Sequence, residues 1–168
     1  MHQGSKGHTK VEEQLALFKQ VANMLPSAAE IWVVGDAEFQ SVCLLCWFWS
    51  RNWHFVIRQQ GKNKVCWAGQ PWLKINALAL EPGQNRVMGW VRLIEKYNHG
   101  WYWLLLHWEA GQAEPWYLVS DQPGQADLLK IYGQRMWVEE MYGDMKGHGF
   151  DLETTQLKQA DRIGRLFL

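Results

Sequence analysis

Apolar and polar positions follow three successive rhythms along this chain. Val11, Leu15, Phe18, Ala22 and Leu25 recur at the interval of an amphipathic helix, and Pro26 closes it. Thr9 followed by Glu12 has capping-box spacing, so the helix is expected to start there, after a loose end over residues 1–8. The run "IWVVGD" (31–36) is short and continuously apolar. That pattern predicts a strand buried on both faces, as at the centre of an α/β sheet. Residues 37–50 read as a helix of large apolar groups, and "WHFVIR" (53–58) as a second strand. Helix, strand, helix, strand predicts a parallel pair.

Beyond residue 61 the rhythm shortens. The runs "NKVCWAG", "WLKINALAL", "RVMGWVRLIEKY", "WYWLLLHWE" and "PWYLVS" are β-like. The turn signals "EPGQN", "NHG" and "AGQAEP" punctuate them. We expect an antiparallel meander over 62–118, inserted into an α/β frame built from 1–61 and 119–168. Helical periodicity returns at 124–146 and again near 154–168. No internal repeat or low-complexity segment interrupts the chain.

Charge changes this picture in one place. The 168 residues carry no net charge, so nothing pulls the whole molecule toward nucleic acid. Between Phe39 and Leu80, however, there is no Asp or Glu, while Arg51, Arg58, Lys62, Lys64 and Lys74 are interleaved with Trp53, Trp67 and Trp72. A basic, aromatic surface can hold a phosphate backbone and stack on bases. The bland alternative is a solvated face beside core tryptophans. Cys43 and Cys46 form a C-x-x-C, but only Cys66 remains to complete a zinc set, so both are expected to be buried helix cysteines in a reducing compartment. No signal peptide is visible, and the longest apolar run, Val42 to Trp49, is too short to span a bilayer. A cytoplasmic protein with no membrane association is expected.

Candidate chemistry sits at two positions. Asp36 ends a strand, where ligands gather in open α/β sheets; its bland reading is a turn or cap residue. In "IYGQRMWVEEMYGDMKGHGF" (131–150), Tyr132, Arg135, Glu139 and Lys146 fall within an arc of roughly 60° at helical pitch. A carboxylate among two cations and a phenol suits metal binding beside phosphate binding. The competing reading is an intrahelical Arg135–Glu139 ion pair.

Tyr132, two residues, Arg135, three residues, Glu139, six residues, Lys146 resembles the Y-(2)-R-(3)-E-(6)-K signature of insertion-sequence transposases of the DDE type. "VVGDAEF" (33–39) is similar to the block holding that family's second catalytic Asp, with Ala37 where many members carry Arg. "HFVIR", "WYLVSD" and "KGHGFDLETTQL" resemble the neighbouring segments, so the likeness runs over most of residues 10–168. It implies an α/β, ribonuclease-H-like core with a large antiparallel β insertion. It also implies two Mg²⁺ or Mn²⁺ ions held by three carboxylates, and cleavage and strand transfer at double-stranded transposon ends. Asp36 and Glu139 would be catalytic metal ligands. Tyr132, Arg135 and Lys146 would grip phosphates, with Arg58 and Lys62 also on DNA. An insertion tryptophan among Trp67, Trp72, Trp90, Trp101, Trp103 and Trp108 would hold a flipped base.

The family's first Asp has no counterpart: residues 1–35 contain only Glu12, Glu13 and Glu30 as acids. The core is therefore expected to be incomplete, lacking N-terminal strands, and nearly inactive alone. Strand 31–36 would then lack a neighbour and favour self-association or pairing with a separate N-terminal piece. Two other readings stay open. One is a DNA-end-binding or transposase-binding inhibitory fragment without catalysis. The other is a nuclease using Glu30 or Glu38 as third ligand. The resemblance implies a nucleoid-associated protein.

Overall fold

The computed structural model describes residues 9–96 and 100–144. The chain divides into two compact units, Met1–Tyr132 and Gly133–Leu168. In the first, helix α1 (Val11–Met24) precedes strand β1 (Trp32–Gly35), a 3₁₀ turn (Ala37–Phe39), helix α2 (Val42–Ser50) and strand β2 (His54–Arg58). Strands β3 (Lys64–Cys66), β4 (Leu73–Lys74), β5 (Asn85–Leu93), β6 (Tyr102–His107) and β7 (Trp116–Ser120) follow. Helix α3 (Ala126–Asp144) begins in the first unit and ends in the second.

All seven strands form one mixed α/β sheet in the order β1-β2-β7-β6-β5-β3-β4. β1 and β2 are parallel, as the helix–strand alternation predicts, and every other pairing is antiparallel. The meander therefore extends the same sheet that carries β1 and β2, with β7 returning beside β2.

Strand alternation sorts the core into two layers. Phe55, Ile57, Leu104, Leu106 and Val119 pack with Leu44, Leu45 and Phe48 of α2 and with Leu15 and Phe18 of α1. Val56, Leu105 and Leu118 point the other way, onto Leu128 and Tyr132 of α3. Each fully buried Leu or Phe contributes about 1.5–3 kcal/mol, so this double-sided sheet holds the unit together.

Several local expectations need correction. β1 is not central: it is the outermost strand, with one edge unpaired among the described residues. An apolar tetrapeptide specifies a strand, and its place in the sheet is set by residues elsewhere. The first helix is capped one residue later than Thr9: the Lys10 backbone N–H donates to Glu13 Oε2 at 3.0 Å. Residues 37–50 are a 3₁₀ turn and then a helix, divided at the extended residue Ser41 just before α2. "WLKINALAL" gives only a two-residue strand, because Ile75 and Leu78, three apart, both bury by turning in 3₁₀ geometry. Cys43 is exposed and Cys46 half-buried, its Sγ 3.9 Å from the Tyr102 hydroxyl, so they are not a buried pair. The helix expected near 154–168 lies outside the described residues. No described helix is long and apolar enough to cross a membrane.

Candidate active-site cleft

Parallel pairing brings the carboxyl ends of β1 and β2 to the same end of the sheet. The register joins Gly35 to Ile57, so Asp36 and Arg58 come next in line. Both line a cleft of about 270 Å³ together with Thr9, Glu38, Gln40 and Gln60. Asp36 caps the 3₁₀ turn: its Oδ1 accepts the Glu38 backbone N–H at 2.9 Å. Its other oxygen takes no hydrogen bond from the described residues. The bland and functional readings of Asp36 are thus compatible, because the cap uses one oxygen and leaves one.

A second lobe of about 550 Å³ shares Ala37, Arg58 and Gln60 with this cleft and adds Gln59, Lys62, Asn76 and Tyr117 to its wall. Arg58 Nη2 donates to Glu114 Oε2 at 3.3 Å and to the Pro115 carbonyl at 3.4 Å. Burial pushes the Tyr117 phenol above its ordinary pKa; the nearby Glu114 charge adds to this, and Arg58 opposes it. Arg58 and Lys62 of the basic stretch share this lobe. Arg51 stands apart, over the Trp47 ring at 5.7 Å. Lys64 pairs with Glu95 at 2.8 Å, faces Lys74 in the β3–β4 register and lines a shallow pocket with Lys62 and Lys96. Of the five cations in the sequence run, Arg58, Lys62, Lys64 and Lys74 are therefore neighbours in succession, and Arg51 joins none of them.

On α3 the predicted face separates into different tasks. The Tyr132 ring, 1% exposed, packs against Val56, Leu105, Leu118 and Leu128 and meets Trp116 edge-on at 5.1 Å. As placed, it anchors the helix and offers no open ring for stacking. Arg135 Nη1 donates to Glu139 Oε1, the i,i+4 pair foreseen as the competing reading, and the Glu139 side chain is 53% exposed. Lys146 lies outside the described residues. Of the candidate tryptophans, Trp90 and Trp101 are exposed, whereas Trp103 and Trp108 donate their indole N–H groups to the carbonyls of Gly124 and Gln112.

Sequence reasoning missed a second carboxylate. Asp121, 7% exposed, follows β7. Its Oδ1 accepts the Phe55 backbone N–H at 3.0 Å, and its Oδ2 lies 2.7 Å from His54 Nδ1 and accepts from Gln122 Nε2 at 3.0 Å. The available signal was the likeness of "YLVSD" to "VVGD": both end an apolar strand on Asp.

Among the described residues no three His, Cys, Asp or Glu side chains gather as a metal-binding group. Asp36, half-buried with one open carboxylate oxygen, fits a Mg²⁺ or Mn²⁺ ion that keeps water and phosphate oxygens in its shell. It does not by itself suffice for two ions. Among curated proteins no match was found. A family model described as the transposase DDE domain matches residues 7–168. With nearly the whole chain covered, and an Asp at the carboxyl end of a strand in a cleft shared with Arg58, this protein belongs to the DDE transposase family.

Proposed function

We propose that the chain supplies Asp36 and Glu139 to a metal-dependent site for DNA transposition on a ribonuclease-H-like core, with 62–118 acting as its β insertion. The observation that carries this reading is the open oxygen of Asp36 beside Arg58 at the shared carboxyl end of two parallel strands. Divalent ions, when bound, would activate water or a DNA 3′-hydroxyl and stabilise the leaving oxygen. The protein's own part is to position phosphate: Arg58 and Lys62 in the cleft, and Arg135 and Lys146 on the signature helix, offer charged donors to a transposon end in the cytoplasmic nucleoid. Tyr132 serves by anchoring that helix. Two carboxylates hold less negative charge than three, so the isolated chain binds metal weakly and is nearly inert, alone or self-associated, until a partner piece completes the site.

Mn²⁺ titration followed by electron paramagnetic resonance tests the ligands. Weak binding that Asp36→Asn and Glu139→Gln each remove is expected; binding retained in both variants overturns the assignment. Efficient Mg²⁺-dependent nicking of plasmid by the purified chain would overturn its inertness. A non-catalytic DNA-end-binding or inhibitory role is the second reading, favoured by one observation: Glu139 is engaged by Arg135, while Lys62 has no ion pair among the described residues. A gel shift unaltered by chelator, together with no Mn²⁺ binding, would select it.

A further inference from the structure

Leu15, Phe18, Ala22 and Leu25 pack α1 against the core, yet the one buried residue of this helix is a glutamine. Gln14 is 3% exposed. Its Nε2 donates to the Glu38 carbonyl at 3.1 Å. Its Oε1 is buried as well and accepts no hydrogen bond from the described residues. A buried amide oxygen without a donor is costly, and native proteins keep few of them. An apolar side chain of the same length would fill this place without that cost, so packing alone does not explain Gln14. What the amide adds is its donor.

Glu38 is also the residue whose backbone N–H the Asp36 carboxylate caps, at 2.9 Å. Residue 38 is therefore held from both sides, by Asp36 Oδ1 on its N–H and by Gln14 Nε2 on its carbonyl. Phe18, one helical turn beyond Gln14, meets Phe39 edge-on at 6.0 Å and braces the same turn. From these contacts we infer that Gln14 is a positioning residue for Asp36. By fixing the Glu38 carbonyl it keeps the 3₁₀ turn closed. The closed turn holds one Asp36 oxygen in the cap and leaves the other for a metal ion. The inference rests on Asp36 as a metal ligand and adds α1 to that site as a strut. Groups outside the ligand shell that orient a ligand commonly change metal affinity by about ten- to a hundredfold. Gln14 acts through the backbone of the turn and not on the carboxylate itself, so the lower end of that range applies.

The test replaces Gln14 in the full chain and reads the turn and the ion separately. Gln14→Met keeps the length of the side chain and removes the donor. Solvent exchange of the Glu38 N–H, followed by NMR, should quicken about fivefold, the value of one hydrogen bond, while the amides of β1 and β2 keep their rates. Mn²⁺ affinity, read by electron paramagnetic resonance, should fall about tenfold. The urea midpoint should stay near that of the wild type, because an unpaired buried oxygen leaves together with the hydrogen bond. Gln14→Asn keeps the amide but is one methylene too short to reach Glu38. It should weaken Mn²⁺ binding alike, and it carries the test if the Met variant does not fold. A merely structural glutamine gives the opposite pattern, a lower urea midpoint with Mn²⁺ affinity unchanged, and that result overturns the inference. Faster exchange at Glu38 without loss of Mn²⁺ binding overturns it too. If Asp36→Asn abolishes Mn²⁺ binding while both Gln14 variants bind as tightly as the wild type, the inference fails alone. If the wild type binds no Mn²⁺, or Asp36→Asn binds it normally, the ligand reading of Asp36 fails and takes the inference with it.

Discussion

Asp36 and Asp121 each follow an apolar strand of the same sheet, yet the fold uses them in opposite ways. Asp121 is buried and both its oxygens are engaged: Phe55 N–H on one, His54 and Gln122 on the other. It clamps the end of β7 to the start of β2. Asp36 gives one oxygen to a local turn, and its other, without a hydrogen bond among the described residues, belongs to a side chain that lines a cleft with Arg58. A carboxylate becomes available for chemistry through what its surroundings leave unsatisfied. Residue type and position after a strand are the same in both.

The largest effect should come from breaking the clamp. Asp121→Ala leaves a buried backbone N–H without its acceptor and His54 without its anchor, so a loss of about 3 kcal/mol is expected. Urea denaturation measures it. A loss no greater than that of Asp36→Ala would erase the distinction between the two residues.

Asp36 should be the milder site for stability. Asp36→Ala removes a cap and should cost about 1 kcal/mol; Asp36→Asn, which caps equally well, should stay within a few tenths. The same Asn variant should nonetheless remove Mn²⁺ binding, since an amide oxygen carries no charge. A stable Asn variant with intact metal binding would mean that the open oxygen of Asp36 is not a ligand.

These contrasts mark what could be read in advance. Asp36 and Arg58 were legible because parallel strands necessarily end at one pole, and local alternation revealed both strands. The edge position of β1 did not follow from its own hydrophobicity, which reports burial and not which neighbours supply it; it agrees instead with the neighbour expected to be missing beside strand 31–36. Trp32 and Val34 are only half-buried, packed in the layer that includes Tyr132, while Val33 and Gly35 face α2 and the 3₁₀ turn. Tyr132 illustrates the limit of helical periodicity. The spacing places it on one face with Arg135 and Glu139, but its burial depends on Trp116, Leu105 and Val56 from distant strands. Likewise the His54–Asp121 contact joins residues 67 apart. The lobe beside Arg58 needs Tyr117 to return across β2. No local pattern encodes either.

The smallest effect concerns Arg135 and Glu139, and it tests whether their pairing is an end in itself. An exposed i,i+4 pair couples by about 0.3–0.5 kcal/mol and fades with salt. A double-mutant cycle in chemical denaturation should return that value. If Glu139 is also a metal ligand, Arg135 competes with the ion twice, by occupying a carboxylate oxygen and by repelling a cation. Arg135→Ala should then strengthen Mn²⁺ binding a few-fold at low salt while leaving stability almost unchanged, and the gain should shrink as ionic strength rises. Unchanged or weaker Mn²⁺ affinity in that variant would reduce the Arg135–Glu139 pair to a helix-surface contact and remove Glu139 from the site.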